Sequence, residues 1–167
     1  IKELIILKLK KYYEFVKGEE YKNSLINLTI TYGYSDFIEM LSRIALEKVV
    51  ERIREISEQG KVRILFNEEV KINNKKGDLL KTCDVILFTN ETVEVIRIVP
   101  MELDIINVNN DDESMILGIG VIDKFATQMD CKYINLTVIQ PNLITTSIYE
   151  TSINKFLHEY DFSLIWS

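Results

Sequence analysis

The 167-residue chain contains few of the residues that build metal centres, disulfide frameworks and flexible linkers. Its 2 cysteines and 1 histidine cannot supply a four-ligand zinc site or a four-cysteine iron–sulfur cluster. We interpret Cys83 and Cys131 as reduced, buried thiols, which is typical of a reducing compartment. Only 2 prolines and 6 glycines occur, which argues against long flexible linkers. We expect neither a bound metal nor a cofactor.

The sequence also lacks any stretch near the roughly 20 apolar residues that span a bilayer. The segment Ile1–Lys8 is interrupted by charges, so we read it as neither a signal peptide nor a membrane anchor. We expect a soluble, cytoplasmic protein without membrane contact. Its length is typical of one domain with a sizeable core.

Basic residues are scarce in the second part of the chain. Residues 1–63 carry 12 basic and 10 acidic side chains, whereas residues 64–167 carry 8 basic and 16 acidic ones, for a net charge of −6. Proteins that hold duplex DNA nonspecifically usually present a basic stripe. The acidic part therefore favours a protein partner with a basic surface. The alternative is that the acidity only maintains solubility.

Hydrophobic periodicity predicts an α/β domain over residues 36–167, preceded by an N-terminal helical extension over residues 1–35. Residues 1–17 have a helical pattern. A long helix is expected to begin at Ser35 or Asp36 and to end at Gly60, with one apolar stripe. Alternating apolar residues on even positions over 62–72 predict a first strand. Strands are also expected over Thr82–Thr89 and Thr92–Val99. The stripe of the long helix comprises Ile38, Leu41, Ala45, Val49, Ile53 and Ile56, whereas Glu47, Glu51, Arg52, Glu55 and Glu58 are placed on its other faces.

A second helix is predicted to start at residues 110–113, where acidic side chains favour the positive end of the helix dipole. Gly118 and Gly120 within it each cost about 1 kcal/mol relative to alanine, which indicates close packing against a sheet. Ile134–Val138 predicts a fourth strand, and Thr151–Tyr160 a terminal helix. From residue 36 the order is therefore α-β-β-β-α-β-α. We expect Met115, Ile119, Ile122, Ala126 and Met129 to form the buried stripe of the second helix.

This order and several local motifs resemble a RecB-like exonuclease family of phage replication modules, which has the PD-(D/E)XK nuclease core. Lys81–Ile86 resembles the family's G-T-A-D-V-I strand. Val138–Leu143 resembles a strand that ends V-Q-P-x-L. The similarity covers residues 36–160. Between these strands, Glu113, Met115, Ile116, Gly120, Asp123 and Phe125 match a helix of the type Q-L-x-L-Y-A-L-G-A-x-D-x-F.

The resemblance implies a degenerate active site. In this fold two carboxylates bind Mg²⁺ and a lysine helps to activate water. Asp84 matches the first carboxylate, but Arg97 occupies the second acidic position and Val99 the lysine position. Glu113 replaces the glutamine of the following helix. A cationic guanidinium does not ligate a metal ion, and valine cannot deprotonate water.

A shift of register does not restore this site. On a strand that includes Arg97 and Val99, Val93 and Val95 share their face, whereas Glu94 points to the opposite side. We therefore predict a catalytically inactive nuclease, with no catalytic residue.

The resemblance implies a phage protein that uses an inactive nuclease fold to bind a protein partner in the host cytoplasm. One specific form is an inhibitor of a host defence nuclease, as anti-CRISPR proteins are, whose target is a nucleic-acid-binding enzyme. Arg97, Asp111, Asp112 and Glu113 are the candidate binding residues. The three acids also suit a helix cap, which is the simpler interpretation.

Two other functions stay open. In the first, the chain is a nucleic-acid-binding accessory of phage replication or recombination, and Arg97 contacts a phosphate. In the second, it is an active Mg²⁺-dependent exonuclease with a migrated site. The sequence leaves open the partner, the choice between DNA and RNA, homo-oligomer formation and the role of residues 1–35.

Overall fold

A computed structural model describes residues 3–7, 9, 34–74, 77–99, 112–125, 130–140 and 147–159. Residues 3–7 and 9 are helical, in agreement with the predicted N-terminal helix. Among the described helices, none combines the length and apolarity needed to cross a membrane.

Helix α1 (Tyr34–Ser57) follows the predicted apolar stripe closely. Ile38, Leu41, Ala45, Val49 and Ile56 are buried, and Ile53 is half-buried. The helix begins within two residues of the predicted Ser35 or Asp36. Gly60 follows its end with φ +148°, a conformation that glycine adopts without steric cost.

The five described strands form one mixed sheet in the order β1-β2-β3-β4-β5. Neighbouring strands are antiparallel except for β3 and β4, which are parallel. Helix α2 (Asp112–Phe125) lies in the connection between these two strands, as a parallel pair requires a crossover. The strands are β1 (Arg63–Asn74), β2 (Gly77–Phe88), β3 (Thr92–Ile98), β4 (Tyr133–Ile139) and β5 (Ser147–Ser152).

Helices cover both faces of the sheet. On one face, α1 packs over a cluster that includes Val85, Leu87, Ile96 and Ile98. The N-terminal Ile5 and Leu9 are buried in the same cluster. On the other face, α2 and helix α3 (Ile153–Glu159) pack over a second cluster. The second cluster includes Ile86, Val93, Val95, Ile134, Leu136, Val138 and Phe156.

The domain boundary proposed between residues 35 and 36 stays a prediction.

The expected order α-β-β-β-α-β-α was wrong in one element, because it lacks β5. The predicted terminal helix over Thr151–Tyr160 begins only at Ile153, and the two residues before it belong to β5. The strand is short, polar and at the edge of the described sheet, and its Ile148 is exposed. Its sequence therefore lacks the alternating apolar pattern that identifies a half-buried strand.

The buried side of α2 also differs from the predicted stripe. Ile119 is buried as expected, but Met115 and Ile122 are only half-buried. Leu117 and Val121 are fully buried instead, because α2 contacts the sheet and lies in one cluster with Phe156 of α3. The predicted positions Ala126 and Met129 lie outside the described residues.

The close packing expected at Gly118 is confirmed. A Cβ atom at this position would lie 3.0 Å from Leu136 Cδ2, 3.0 Å from Phe156 Cζ and 3.3 Å from Ile134 Cδ1. The absence of a side chain thus lets α2 approach β4 and α3.

Candidate functional site

Asp84 lies where the ladder between β2 and β3 ends. Val85 and Ile96 form the last residue pair of this ladder, so Asp84 and Arg97 are the next residues on the two strands. The Ile98 backbone N–H donates to Asp84 Oδ2 at 2.8 Å. The half-buried carboxylate therefore replaces a backbone acceptor and holds β3 beside β2.

The same position is distorted on its other side, towards β1. Phe66 pairs with Val85 and Glu68 with Cys83, so that Asn67 lies opposite Asp84. Asn67 has φ +51°, a left-handed conformation that asparagine tolerates better than most residues. Asp84 thus lies between the left-handed Asn67 of β1 and the end of the ladder with β3.

Both strands of the β1–β2 hairpin change sides at Asn67 and Asp84. Ile64 and Val85 belong to the cluster below α1, whereas Val70 and Cys83 belong to the cluster below α2. In a regular strand, residues an even number apart share a face. The prediction of one apolar face over residues 62–72 was therefore wrong beyond Asn67.

Arg97 and Val99 lie on the side of β3 that faces α2. Val95 and Val99 are buried in the cluster under this helix, whereas Ile96 and Ile98 lie on the α1 side. The Val99 N–H donates to the Ile139 carbonyl at 2.9 Å. Arg97 is half-buried and brings a permanent positive charge to the end of the ladder beside Asp84.

The acidic residues at the start of α2 are described only in part. Asp112 and Glu113 form its first turn, but their side chains, like all of Asp111, lie outside the described residues. A carboxylate in a first helical turn is stabilised by the helix dipole. Within the described ranges, no group of three histidine, cysteine or acidic side chains could hold a metal ion.

A buried ion pair occupies the opposite face of β3. Arg52 of α1 donates from Nε to Glu94 Oε2 at 2.8 Å and from Nη2 to Glu94 Oε1 at 2.6 Å. The Glu94 side chain is 2% exposed and that of Arg52 17%. Asn135 Nδ2 donates to the same carboxylate at 3.2 Å. The hydrogen bonds to Glu94 raise the Arg52 pKa above its ordinary value.

More polar groups lie beneath α1 along β4. Lys48 Nζ donates to the Gln140 carbonyl at 2.8 Å, and burial lowers the Lys48 pKa despite the nearby Glu51. Asn135 Oδ1, Thr137 Oγ1 and Gln140 Nε2 are buried and find no hydrogen-bond partner among the described residues. Together with the Arg52–Glu94 pair, Lys48 and Asn135 form a polar layer between α1 and the sheet.

Sequence reasoning missed this polar layer because it placed Arg52 on a face of α1 away from the apolar stripe, whereas Arg52 contacts Glu94 of the sheet. Two signals could have identified the pair. Glu94 lies between valines in a strand expected to be buried, and a buried carboxylate requires a partner. Arg52 lies three residues after Val49 and four before Ile56, so it continues the apolar stripe.

Comparison with known proteins gives a family but no function. The family model described as "Protein of unknown function (DUF2800)" matches residues 1–162. A comparison with curated proteins found no match. A solved structure, "Crystal structure of SSO0001", shares 16% sequence identity at a TM-score of 0.41, over 98% of this chain and 85% of that chain. A similarity at this TM-score supports no inference about fold or function.

Proposed function

Because the chain belongs to the DUF2800 family, whose function is unknown, we propose a function from its own site. The chain is a catalytically inactive protein with a PD-(D/E)XK-like core, and it acts by binding a protein partner. One observation carries this proposal: Asp84 accepts the Ile98 N–H at 2.8 Å beside Arg97 and Val99, without a second acid or a lysine at these positions.

The arrangement of the sheet supports the nuclease-like core. Strands β1, β2 and β3 form an antiparallel meander, and β4 joins β3 in parallel after α2. The family that the sequence resembles has its metal ligands on the second and third strands of such a core. Asp84 and Arg97 occupy adjacent positions on the corresponding strands here.

Electrostatics support the loss of catalysis. Binding of Mg²⁺ needs oxygen ligands, most often from carboxylates. A guanidinium at the second position repels the cation and competes for Asp84. Val99 is fully buried and has no group that could move a proton. The chain therefore keeps the nuclease-like core and lacks the second carboxylate and the lysine that metal-dependent cleavage requires.

The charge of the surface supports a basic protein partner. The chain has a net charge of −6, and Glu47, Glu51 and Glu55 are all exposed on α1. Their spacing of four residues places them along one side of the helix over about 12 Å. Glu55 also contacts Arg52 at 3.2 Å. A row of carboxylates suits a groove that normally binds phosphates.

We propose that the partner is a nucleic-acid-binding enzyme and that the chain blocks its groove, with a host defence nuclease as the specific target. Capture from host lysate, with and without nuclease treatment, identifies the partner. The captured enzyme should lose nucleic-acid binding in the presence of the chain. Glu47→Lys combined with Glu51→Lys should weaken this competition, whereas the exposed control pair Glu91→Lys and Glu150→Lys should not.

A gel-shift experiment separates this function from that of a nucleic-acid accessory. We expect no shift of duplex DNA or duplex RNA at low salt. A shift that weakens steeply as salt increases would support the accessory instead, because phosphate contacts release counterions.

Calorimetric titration with Mn²⁺ tests the loss of the metal site. We expect no saturable binding to the unmodified chain. Arg97→Asp should create a carboxylate pair with Asp84 and a measurable affinity, which Asp84→Asn in the same background should remove. Saturable binding by the unmodified chain that Asp84→Asn abolishes would contradict the proposal.

A further inference from the structure

We propose that a cavity at the other end of β2 and β3 binds a nucleotide through its base and its phosphate. The cavity begins at Phe88 and Thr89, about 16 Å along β2 from Asp84. It is separate from the degenerate site, and this inference does not depend on the proposed function.

The cavity has the size of a small-molecule site. Its volume is about 530 Å³, within the range of roughly 300–1,000 Å³ that is usual for ligand pockets. The start of β1, the end of β2, the end of α2 and the residues before β4 form its walls. Elements that the sheet holds together therefore shape it.

Two aromatic rings form an apolar wall. Phe88 and Phe125 pack edge to face, with ring centroids 5.2 Å apart and an interplanar angle of 68°. Phe125 is buried and supports the half-buried Phe88. The Arg63 guanidinium lies 5.8 Å from the centroid of Phe88. A phenyl ring and a guanidinium plane are the groups on which nucleobases stack in single-stranded nucleic-acid sites.

Cations lie beside this aromatic wall. Lys61 and Arg63 are exposed and line the cavity, together with one carboxylate, that of Asp130. The lining is therefore more basic than the chain, whose net charge is −6. A phosphate can bridge an ammonium and a guanidinium while its base contacts Phe88.

The thiol in the cavity supports binding over covalent chemistry. Cys131 donates from Sγ to the Thr89 carbonyl at 3.7 Å. Burial, together with the nearby Asp130, raises the pKa of Cys131, so the thiol stays protonated near neutral pH. Since the nucleophile is the thiolate, Cys131 forms part of the wall and offers a site-specific reporter of occupancy.

Calorimetry with AMP and adenosine tests this inference. AMP should bind saturably, and adenosine should bind at least about tenfold more weakly because it lacks the phosphate. Lys61→Ala combined with Arg63→Ala should weaken AMP binding by about tenfold or more. The control pair Arg54→Ala and Lys71→Ala removes two exposed cations that do not line the cavity and should leave it unchanged.

Alkylation of Cys131 provides a second measurement. Cys83 is fully buried, so a thiol reagent should label Cys131 first in the folded chain. AMP should slow this labelling, and adenosine at the same concentration should slow it less.

Oligoadenylates with and without a 5′-phosphate distinguish a strand end from a free nucleotide. Binding of either ligand supports the site. Absence of AMP binding up to about 10 mM, or binding unaffected by the Lys61 and Arg63 changes, overturns it.

Discussion

Arg52 and Glu94 join α1 to the centre of the sheet through two hydrogen bonds of 2.8 and 2.6 Å. Glu94 is almost inaccessible to solvent, and its carboxylate also accepts from Asn135. The pair therefore fixes where the helix crosses β3 and β4. Its charges balance only when both partners are present.

We predict that Arg52→Ala lowers the free energy of unfolding by about 3–5 kcal/mol, because it leaves a buried carboxylate without its cation. Urea denaturation measures this loss. Arg54→Ala, at an exposed position two residues away, should change stability by less than about 0.5 kcal/mol. Arg52→Met with Glu94→Leu should recover most of the loss. Equal losses for Arg52→Ala and Arg54→Ala would contradict a structural ion pair.

Gly118→Ala should destabilise the protein although alanine favours helices. The new Cβ would lie 3.0 Å from both Leu136 Cδ2 and Phe156 Cζ, and overpacking of a core costs about 1–3 kcal/mol. The higher helix propensity of alanine stabilises the protein by at most about 1 kcal/mol. Thermal denaturation should show a lower Tm, partly restored by Leu136→Val. A Tm above that of the unmodified chain would show that the neighbouring side chains move at no cost.

The backbone of Asn67 gives a prediction for the β1–β2 hairpin. At φ +51°, Asn67→Gly should keep stability within about 0.5 kcal/mol, whereas Asn67→Val should lose about 1–2 kcal/mol. Chemical denaturation of both variants tests this difference. Glu69→Val, at a nearby exposed strand position, is the control and should be nearly neutral. Equal stability of the glycine and valine variants would contradict a left-handed backbone conformation at residue 67.

The lowered pKa of Lys48 predicts that the free energy of unfolding increases at alkaline pH. Its pKa is lower in the folded state than its ordinary value of 10.5, so the unfolded chain binds more protons between these two values. Stability contributed by this residue therefore increases as pH rises through its folded pKa. Denaturation at pH values up to about 10.5, the ordinary pKa of lysine, should show this increase in stability. Lys48→Met should reduce the increase. Lys132→Met, at an exposed position, should leave the increase unchanged.

Most of the fold was predictable where one physical signal dominated. The stripe from Ile38 to Ile56 identified α1, and Ile134, Leu136 and Val138 identified β4. The strand β5 was not predictable from apolar periodicity, because its edge position leaves Ile148 exposed. The change of sides at Asn67 depends on one backbone conformation, which the hydrophobic pattern does not report.

The candidate site was predictable only in position. The sequence placed Arg97 and Val99 on one face of β3 and Glu94 on the other, and the structure confirms this arrangement. It did not predict that Asp84 accepts the Ile98 N–H, because that contact depends on the end of the β2–β3 ladder. The partner of Glu94 was missed, since Arg52 is 42 residues away in sequence.

A cleavage assay tests the central claim most directly. The unmodified chain, the Asp84→Ala variant and a metal-free control are incubated with linear and single-stranded DNA in Mg²⁺ or Mn²⁺. The inactive-core account predicts no cleavage above the metal-free control for either protein. Metal-dependent cleavage by the unmodified chain, abolished by Asp84→Ala, would contradict it.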